Sequence, residues 1–351
     1  MKQAKKKNAY RKYAPPLTVA VVGAGAVGKE MIRILEERNF PMKELRVLAR
    51  SSRPMDIGGK KYEVKETTPE AFDGVDIALF AGTEGEKGAA STFGKEAVKR
   101  GAIVIDNGSD FRMDPDVPLV IPEINEHDLA WNKGIIANPN CTIAVMLMAV
   151  APIHRKYGVK KVIVSTYQAV SGAGGKAIDS LTSQTREFLD TGKVTDTGGF
   201  PAPIAFNVLA NNWKIEDDGY SNEELKMIAE AKKILGDKSV QIVPTTVRVP
   251  VYNAHAESVY VEMKKAASPA DIRELLKKSP GVRVVDEKNT LNGRDCPMPI
   301  DASGKDDVLV GRIRRDLHNP KAVLFWSCGD NLRKGAALNA VQIAECFIAR
   351  K

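Results

Sequence analysis

A cysteine at the start of an apolar stretch is the residue best suited to covalent chemistry in this sequence. Cys141 follows Asn138-Pro139-Asn140 and opens the apolar run of residues 141–152, which predicts a buried helix too short to span a bilayer. The N-terminus of a helix lowers the pKa of a thiol, and the thiolate is the reactive nucleophile. Cys141 is therefore the candidate nucleophile, and a buried packing cysteine is the competing interpretation.

The other three cysteines lack this setting. Cys296, Cys328 and Cys346 are scattered through the chain without CxxC spacing, so the sequence predicts neither a disulfide framework nor a metal site. Cys328 and Cys346 have the surroundings of packing residues, and Cys296 lies in a proline-containing loop without an evident activating group. Any reactive cysteine is thus expected to be Cys141.

A thiol nucleophile needs a partner for proton transfer, and four histidines are available. His255 lies in the strand-like segment RVPVYNAHAES, seven residues after Arg248. This odd spacing would place the two side chains on opposite faces of a continuous strand, but Pro250 and Asn253-Ala254 indicate a break. The surroundings favour His255 over His127, His154 and His318, which are expected at the surface.

A glycine-rich turn lies between an apolar strand and an amphipathic helix. Glycines in this context let the backbone approach a pyrophosphate at a helix N-terminus, whereas a tight turn with packing glycines is the competing interpretation. The candidate cofactor-binding residues of this turn are Gly23, Ala24, Gly25, Ala26, Val27 and Gly28.

The end of the second strand distinguishes the two nicotinamide dinucleotides. Sites for NAD usually carry an acidic residue about twenty residues beyond the glycines. Here Ser51 and Arg53 follow the strand instead, and hydroxyl and guanidinium groups suit a 2′-phosphate. The expected cofactor is therefore NADP, with a solvated loop as the alternative.

The surrounding pattern predicts an α/β chain with two domains. Apolar strands at residues 17–22, 45–49, 75–82 and 101–109 alternate with helices, as in a Rossmann-type, doubly wound parallel sheet. Beyond Cys141 long helices and alternating strands predict an α+β domain, with residues 240–264 as one long antiparallel segment. The predicted divisions are a disordered leader (1–16), a nucleotide-binding domain (17–140, completed by a helix at 331–351) and a second domain (141–330).

Composition and charge give this prediction its context. The chain has 351 residues, 43% hydrophobic and 27% charged, which is typical of a globular protein. Its formal net charge is +8, and the six lysines and arginines of residues 2–12 account for +6 of it. The leader has no apolar core of a secretory signal, so a cytoplasmic location without membrane association is expected. A nucleic-acid-binding arm is the alternative to a solvated leader, and we expect no nucleic-acid partner.

Five segments, taken in order and spacing, resemble those of the aspartate-β-semialdehyde dehydrogenase family. The resemblance extends over about residues 17–350. Its segments are Asn138-Pro139-Asn140-Cys141-Thr142, residues 167–174, Glu223-Glu224-Leu225-Lys226, Arg248-Val249-Pro250 with His255, and residues 330–337.

The resemblance implies a role for each matching residue. Cys141 would form an acyl-thioester, His255 would be the general acid and base, and Gln168 would orient the substrate. Glu223 and Arg248 would bind the ammonium and α-carboxylate of an amino-acid substrate. The remaining implied contacts are to phosphate and substrate from Arg112, Asn140 and Lys226, and to the nicotinamide half of NADP from Ser171, Gly172 and Asn331.

The implied activity is the NADP-dependent reduction of aspartyl phosphate to aspartate semialdehyde, with release of phosphate, in lysine, threonine and methionine biosynthesis. The resemblance also implies a homodimer formed through the second domain. The alternatives are another acyl-phosphate reductase, of the N-acetylglutamyl-phosphate or glyceraldehyde-phosphate type, and a non-catalytic binding paralogue. A Glu223/Arg248 pair favours a zwitterionic substrate, and the substrates of both other reductases are not zwitterions.

Three parts of the sequence depart from the family pattern. Val22 and Ala24 replace a glycine and a threonine of the usual GATGAVG turn, and residues 81–88 replace a loop that is usually rich in serine and glycine. Asp110 stands near Arg112, where a small residue is common. An added carboxylate at this position is expected to weaken phosphate binding.

Overall fold

The computed structural model describes residues 13–82, 88–210, 212–286 and 295–348. The chain divides into two compact units: Met1–Asn140 with Ala336–Lys351, and Cys141–Gly335. The division at Cys141 separates the predicted nucleophile from the residues before it. The second division follows Gly335, slightly beyond the predicted position at residue 330.

The described part of the first unit contains a seven-stranded sheet in the order β3-β4-β2-β1-β5-β6-β7. All neighbouring strands are parallel except β3 and β4. Strands β2, β3 and β4 therefore lie on one side of β1, and β5, β6 and β7 lie on its other side. This change of side is a switch point, which opens a ligand crevice at the carboxyl ends of the strands. The strands are β1 Leu17–Val22, β2 Met42–Ala49, β3 Arg53–Ile57, β4 Lys60–Glu66, β5 Ile77–Phe80, β6 Ile103–Asp106 and β7 Ile135–Ala137.

Helices flank this sheet and complete its core. They include α1 (Ala26–Glu37), α2 (Ala89–Lys99) and the short α3 (Pro122–Asn125). Every residue of β1 is buried, as expected for the centre of a parallel sheet covered on both faces, and α1 buries Met31 and Leu35 in the same apolar cluster. The predicted doubly wound parallel sheet is thus confirmed.

The described part of the second unit contains a six-stranded mixed sheet in the order β11-β12-β13-β10-β8-β9. Strands β8 and β9 are parallel, as are β11 and β12, whereas β10 is antiparallel to both β8 and β13. The predicted α+β character of this unit is confirmed. The strands are β8 Val159–Gln168, β9 Gln241–Arg248, β10 His255–Met263, β11 Val282–Val284, β12 Val308–Arg315 and β13 Ala322–Gly329.

The predicted long antiparallel segment over residues 240–264 is confirmed for β10, which is antiparallel to both of its neighbours, but is wrong for β9, which is parallel to β8. β9 lies at the end of the strand order and pairs with β8, and β10 lies between β8 and β13. Pro244 cannot donate a hydrogen bond to a strand ladder and is therefore suited to the edge strand β9. Residues 249–254, which include Pro250, separate the two strands and allow them to take different neighbours.

The helices of the second unit place the predicted nucleophile at a helix start. They are α4 (Cys141–Tyr157), α5 (Gly175–Thr191), α6 (Asn222–Leu235), α7 (Pro269–Lys277) and α8 (Pro299–Ala302). Helix α4 continues through Pro152 to Tyr157, past the end of the apolar run. Helix α6 begins with a capping box in which Ser221 and Glu224 exchange hydrogen bonds between side chain and backbone.

The C-terminal segment returns to the first unit. A π-helical turn, Arg333–Ala337, precedes α9 (Leu338–Cys346), and Leu338 and Val341 pack into the cluster that contains β1. The structure differs from the predicted leader at Tyr13, which forms a bridge with Ile348 because its half-buried side chain packs against this cluster. Residues 1–12 lie outside the described residues.

Candidate functional site

Cys141 is the first residue of α4, and its thiol lies next to an imidazole. Its Sγ is 3.2 Å from Nε2 of His255. Space for the cysteine depends on Gly335, because a Cβ at that position would lie 2.8 Å from Cβ of Cys141. The N-terminus of α4 and the imidazole of His255 can therefore both stabilise negative charge on the sulfur.

His255 is the first residue of β10 and is completely buried. Its Nδ1 accepts a hydrogen bond from the backbone N–H of Ala169 at 3.0 Å. Burial, reinforced by the nearby charge of Arg248, holds the pKa of His255 far below its ordinary value. The ring is therefore neutral, with its proton on Nε2, and donates that proton in a hydrogen bond to Sγ of Cys141.

A left-handed residue precedes His255. Ala254 has a φ of +70°, is completely buried, and donates its backbone N–H to Oδ1 of Asn331 at 3.0 Å. Nδ2 of Asn331 in turn donates to Oγ of Ser171 at 2.9 Å. This turn explains how the odd spacing of Arg248 and His255 still directs both side chains to one site.

Asp330 holds the same turn from the other side. Its Oδ2 accepts hydrogen bonds from Nδ2 of Asn253 at 2.7 Å and from the backbone of Gly304 at 2.6 Å. Its Oδ1 accepts the backbone N–H groups of Leu332 and Arg333. A carboxylate with four donors is a rigid anchor, so the segment that leads into His255 is fixed on both sides.

Gln168 and Glu223 form a buried polar pair beside the thiol. Gln168 ends β8, and its Nε2 donates to Oε1 of Glu223 at 3.1 Å and to Oγ1 of Thr142. Oε1 of Gln168 is buried and has no hydrogen-bond partner among the described residues. Glu223 is only 6% exposed and is therefore not a surface residue of α6. Lys226 is half-buried on the same helix.

Arg248 ends β9 directly beside Gln168 in the sheet and is 3% exposed. Its Nη1 donates to the carbonyl of Ala169 at 2.7 Å. The backbone of this one residue therefore fixes two side chains, since its N–H donates to His255 and its C=O accepts from Arg248. Burial lowers the pKa of Arg248, and the charges of Cys141 and Glu223 oppose that shift. A Cβ on Gly172 would lie 2.9 Å from Nη1, so glycine is needed there.

One further contact of Arg248 has no counterpart in the sequence prediction. Its guanidinium lies over the ring of Trp213, 4.8 Å from the ring centroid. Trp213 stands in the polar segment NNWKIEDDGY, where neither periodicity nor a motif marks it as part of a site. Only the presence of a large aromatic residue in an otherwise polar loop could have drawn attention to it.

The strand ends explain why these residues meet. The parallel strands β8 and β9 end at Gln168 and Arg248, and the antiparallel β10 begins at His255 at the same edge of the sheet. Two residues further into the sheet lies a second buried polar row, in which Glu257 pairs with Thr166 and Ser327. Burial raises the pKa of Glu257 far above its ordinary value, so this carboxyl group is neutral.

Arg112 and Asn140 belong to the first unit. Arg112 is buried, and its Nε and Nη2 donate to the carbonyls of Asn138 and Asn107, both at 2.9 Å. Asn140 is also buried and directly precedes Cys141 in the chain. Asp110 accepts a hydrogen bond from Oγ of Ser91 at 2.9 Å.

The glycine turn of the first unit fits a dinucleotide phosphate. Gly23 has a φ of +110°, and a Cβ on Gly28 would lie 1.7 Å from the carbonyl oxygen of Gly23, so both positions require glycine. Gly25 is the N-cap of α1, and a Cβ there would meet nothing within 4 Å. The turn thus offers open space beside helix N–H groups that no cap side chain occupies. Ala24, Ala26 and Val27 complete this turn.

The neighbouring candidate residues for the cofactor are exposed. Nη1 of Arg53, the first residue of β3, donates to the carbonyl of Ser51 at 3.2 Å. Of the atypical loop at 81–88, residues 83–87 lie outside the described residues. Within the described ranges, no group of three or more His, Cys, Asp and Glu side chains could hold a metal ion. No helix described in either unit is long and apolar enough to cross a membrane.

Known proteins resemble this chain over nearly its whole length. Residues 18–132 match the NAD binding domain of semialdehyde dehydrogenases, and residues 150–334 match their dimerisation domain. The aspartate-semialdehyde dehydrogenase of Aquifex aeolicus (strain VF5) is 48% identical over 339 residues, which cover 94% of this chain and 97% of the relative. That of Bacillus subtilis (strain 168) is 47% identical over 341 residues, covering 94% and 96%. The crystal structure of aspartate semialdehyde dehydrogenase II from Vibrio cholerae complexed with ASA superposes with a TM-score of 0.88 at 40% identity, covering 95% and 98%.

Proposed function

The chain belongs to the aspartate-semialdehyde dehydrogenase family, and we propose that it interconverts L-aspartyl phosphate and L-aspartate semialdehyde with NADP through a thioester on Cys141. The observation that carries the proposal is the 3.2 Å contact of Cys141 with His255 beside the buried Glu223 and Arg248. A nucleophile and recognition groups for a zwitterion thus lie within one unit of the chain.

In the reductive direction, the thiolate of Cys141 attacks the carbonyl carbon of the acyl phosphate. A carbon–sulfur bond forms, and phosphate leaves with the electron pair of the broken carbon–oxygen bond. The charge of Arg248, the N-terminus of α4 and the Nε2–H of His255 all stabilise negative charge at the sulfur. The protein therefore holds the nucleophile ready without moving a proton onto His255.

When bound, the reduced cofactor supplies a hydride to the thioester carbon. The resulting tetrahedral oxyanion collapses to the aldehyde and the Cys141 thiolate, and this collapse needs no net proton. A neutral His255 with its proton on Nε2 is suited to stabilise that oxyanion by a hydrogen bond. The tautomer thus favours His255 as a donor, a narrower role than the general acid and base expected from the family resemblance.

Glu223 and Arg248 select the amino-acid end of the substrate. The carboxylate of Glu223 would bind the ammonium group, and the guanidinium of Arg248 would bind the α-carboxylate. Oε1 of Gln168 is a further acceptor without a partner among the described residues. An N-acetylated substrate has no ammonium charge, so this arrangement favours aspartyl phosphate over N-acetylglutamyl phosphate.

The remaining contacts are proposed on the family resemblance. Arg112, Asn140 and Lys226 would bind the phosphate and substrate, and the turn at Gly25 would hold the cofactor pyrophosphate. Arg53 and Ser51 would bind a 2′-phosphate, which supports NADP over NAD. Ser171, Gly172 and Asn331 would face the nicotinamide half; the hydrogen bonds of Ser171 and Asn331 also hold the turn before His255.

A homodimer formed through the second unit is part of the proposal. The face of its sheet opposite Gln168 exposes Ile163, Tyr167 and Val243, and the Tyr167 ring packs against Trp326. Burying such an apolar face in a second copy would remove it from water. The match of residues 150–334 to a dimerisation domain supports this arrangement. We further propose a cytoplasmic role in the biosynthesis of lysine, threonine and methionine.

The proposal is tested by measuring the reduction of NADP⁺ and of NAD⁺ with L-aspartate semialdehyde, with and without phosphate. We expect phosphate-dependent activity that prefers NADP⁺. Cys141→Ala should lower kcat by at least about 10³-fold because the covalent route is lost. Activity confined to N-acetylglutamate semialdehyde, or near-native turnover of the variant, would overturn the proposal.

A further inference from the structure

We infer that Trp213 is a specificity-determining residue that holds the guanidinium of Arg248 in the plane needed to bind the substrate's α-carboxylate. This inference rests on the proposed function, in which Arg248 binds that carboxylate. The starting observation is the position of the Arg248 guanidinium over the Trp213 ring, with its Cζ 4.8 Å from the ring centroid. Charge on a buried guanidinium is attracted to the negative face of an indole, and the attraction is stronger where water is excluded.

Backbone anchors on both sides hold Trp213 in this position. Before it, Leu209 and Arg248 exchange two backbone hydrogen bonds, both of 2.9 Å. After it, the carbonyl of Lys214 accepts the backbone N–H of Asn222 at 2.9 Å. Asn222 is the first residue of α6 and directly precedes Glu223. The segment that carries Trp213 is therefore tied to the two elements that present the proposed carboxylate and ammonium contacts.

Among the described residues, one edge of the Arg248 guanidinium makes no hydrogen bond. Nη1 is engaged with the carbonyl of Ala169 at 2.7 Å, on the side where Gly172 approaches. Nε is buried and has no hydrogen-bond partner among the described residues. The edge formed by Nε and Nη2 matches the two oxygens of a carboxylate, as in bidentate recognition.

A single hydrogen bond from Nη1 does not define the plane of the guanidinium, because the group can turn about that bond. The flat Trp213 ring removes this freedom by packing against one face of the plane. Bidentate binding depends on coplanarity of the guanidinium and carboxylate, so loss of the ring should weaken binding of the carboxylate. It should leave the thiol chemistry at Cys141 intact.

The experiment compares Trp213→Leu and Trp213→Phe with wild type at saturating NADP⁺ and phosphate. Trp213→Leu should raise the KM for aspartate semialdehyde roughly 3- to 30-fold, the range expected for a desolvated cation–π contact. Trp213→Phe keeps a weaker aromatic face, so its KM should lie between the KM of wild type and that of Trp213→Leu. We expect kcat and the KM for phosphate to stay within about twofold of wild type, since the ring is proposed to act on Arg248 and not on the thiol.

A second substrate separates carboxylate recognition from a general structural role. 3-Aminopropanal keeps the aldehyde and ammonium groups of the substrate but lacks the carboxylate. Its kcat/KM, measured with excess enzyme, should be the same for wild type and Trp213→Leu. An equal loss with both aldehydes would overturn the inference, as would an unchanged KM for aspartate semialdehyde.

The matched control is Trp131→Phe, which changes another tryptophan that is 43% exposed in the first unit. It should leave both kinetic constants unchanged. Thermal unfolding of all three variants identifies misfolding, and Trp213→Phe provides the test if Trp213→Leu does not fold. Failure of wild type to oxidise aspartate semialdehyde would refute the proposed function itself, which is a different result from a variant that leaves KM unchanged.

Discussion

The two units build their candidate sites in different ways. In the first unit, the turn from Gly23 to Gly28 is contiguous in sequence, and close backbone approaches dictate its residues. In the second unit, the thiol site collects side chains from the ends of β8 and β9 and from the starts of β10, α4 and α6. A site made of backbone should thus be damaged by adding a side chain, and a site made of side chains by removing one.

After loss of the Cys141 thiol, the largest expected effect comes from removing the imidazole. His255→Ala should lower kcat by about 10²- to 10³-fold, the usual contribution of one hydrogen-bond donor to an oxyanion. His255→Gln returns an amide N–H near the position of Nε2, whereas His255→Asn keeps only an acceptor near Nδ1. If the Nε2–H donor is the important group, kcat of the glutamine variant should exceed that of the asparagine variant. Equal, alanine-like rates in both would instead require His255 to act as a base.

The pH dependence of stability provides a second measurement on the same variants. The pKa of His255 is lowered in the folded chain, so the unfolded chain binds more protons below the ordinary histidine pKa. Stability of wild type should therefore fall as the pH decreases from about 6.5, the pKa of an unperturbed histidine. This part of the decline should be absent in His255→Asn, as followed by chemical denaturation at several pH values.

The next largest effects are expected from adding a side chain to the glycine turn of the first unit. Gly28→Ala should destabilise the first unit by about 1–3 kcal/mol, because its Cβ would overlap the carbonyl of Gly23. Gly25→Ala has room and an extended backbone, so its stability should stay within about 0.5 kcal/mol of wild type. Its NADP affinity should nevertheless fall roughly tenfold, because the methyl group would fill the space left for phosphate. Unchanged cofactor affinity in a stable Gly25→Ala protein would place the pyrophosphate elsewhere.

The smallest expected effect concerns Glu257, in the second buried polar row of the second unit. Because burial raises the pKa of Glu257, the folded chain binds a proton that the unfolded chain releases above the ordinary carboxyl pKa. Glu257→Gln should therefore raise Tm at pH 8, by roughly 2–4 °C for each kcal/mol gained, and the gain should shrink towards pH 4. Glu262→Gln is the control, since Glu262 lies on the same strand in an outer ion pair with Lys160. A lower Tm at pH 8 in Glu257→Gln would show that the carboxyl group is required as such.

A structural feature can be predicted from the sequence when the residues that form it are adjacent in the chain. The strand, turn and helix around Gly25 are adjacent in the chain, so their pattern predicted the parallel sheet. The strand character of residues 241–248 and 255–263 was also visible, but alternation does not identify a strand's neighbours. The predicted antiparallel pairing was therefore right for residues 255–263 and wrong for residues 241–248. Trp213 was missed because its partner, Arg248, is distant in sequence and its own loop has no periodic pattern.

The cysteine and histidine illustrate the limit more sharply. The sequence could place Cys141 at a helix start, but it could not give the tautomer of His255. That tautomer depends on the backbone N–H of Ala169, which approaches Nδ1 only after β8 and β10 have paired. Whether the imidazole donates or accepts at Cys141 is thus a property of the folded sheet.

The left-handed Ala254 has a consequence for conformational entropy. An alanine in this region costs the folded chain about 1–2 kcal/mol relative to a glycine. A glycine at the same position would give the unfolded chain more conformations to lose, at a cost of about 0.4–1 kcal/mol. The strain is the larger of the two terms, so alanine at position 254 lowers the net stability of the fold. It also gives the chain fewer accessible conformations just before the imidazole, so at this position some stability is lost while the range of motion of His255 is narrowed.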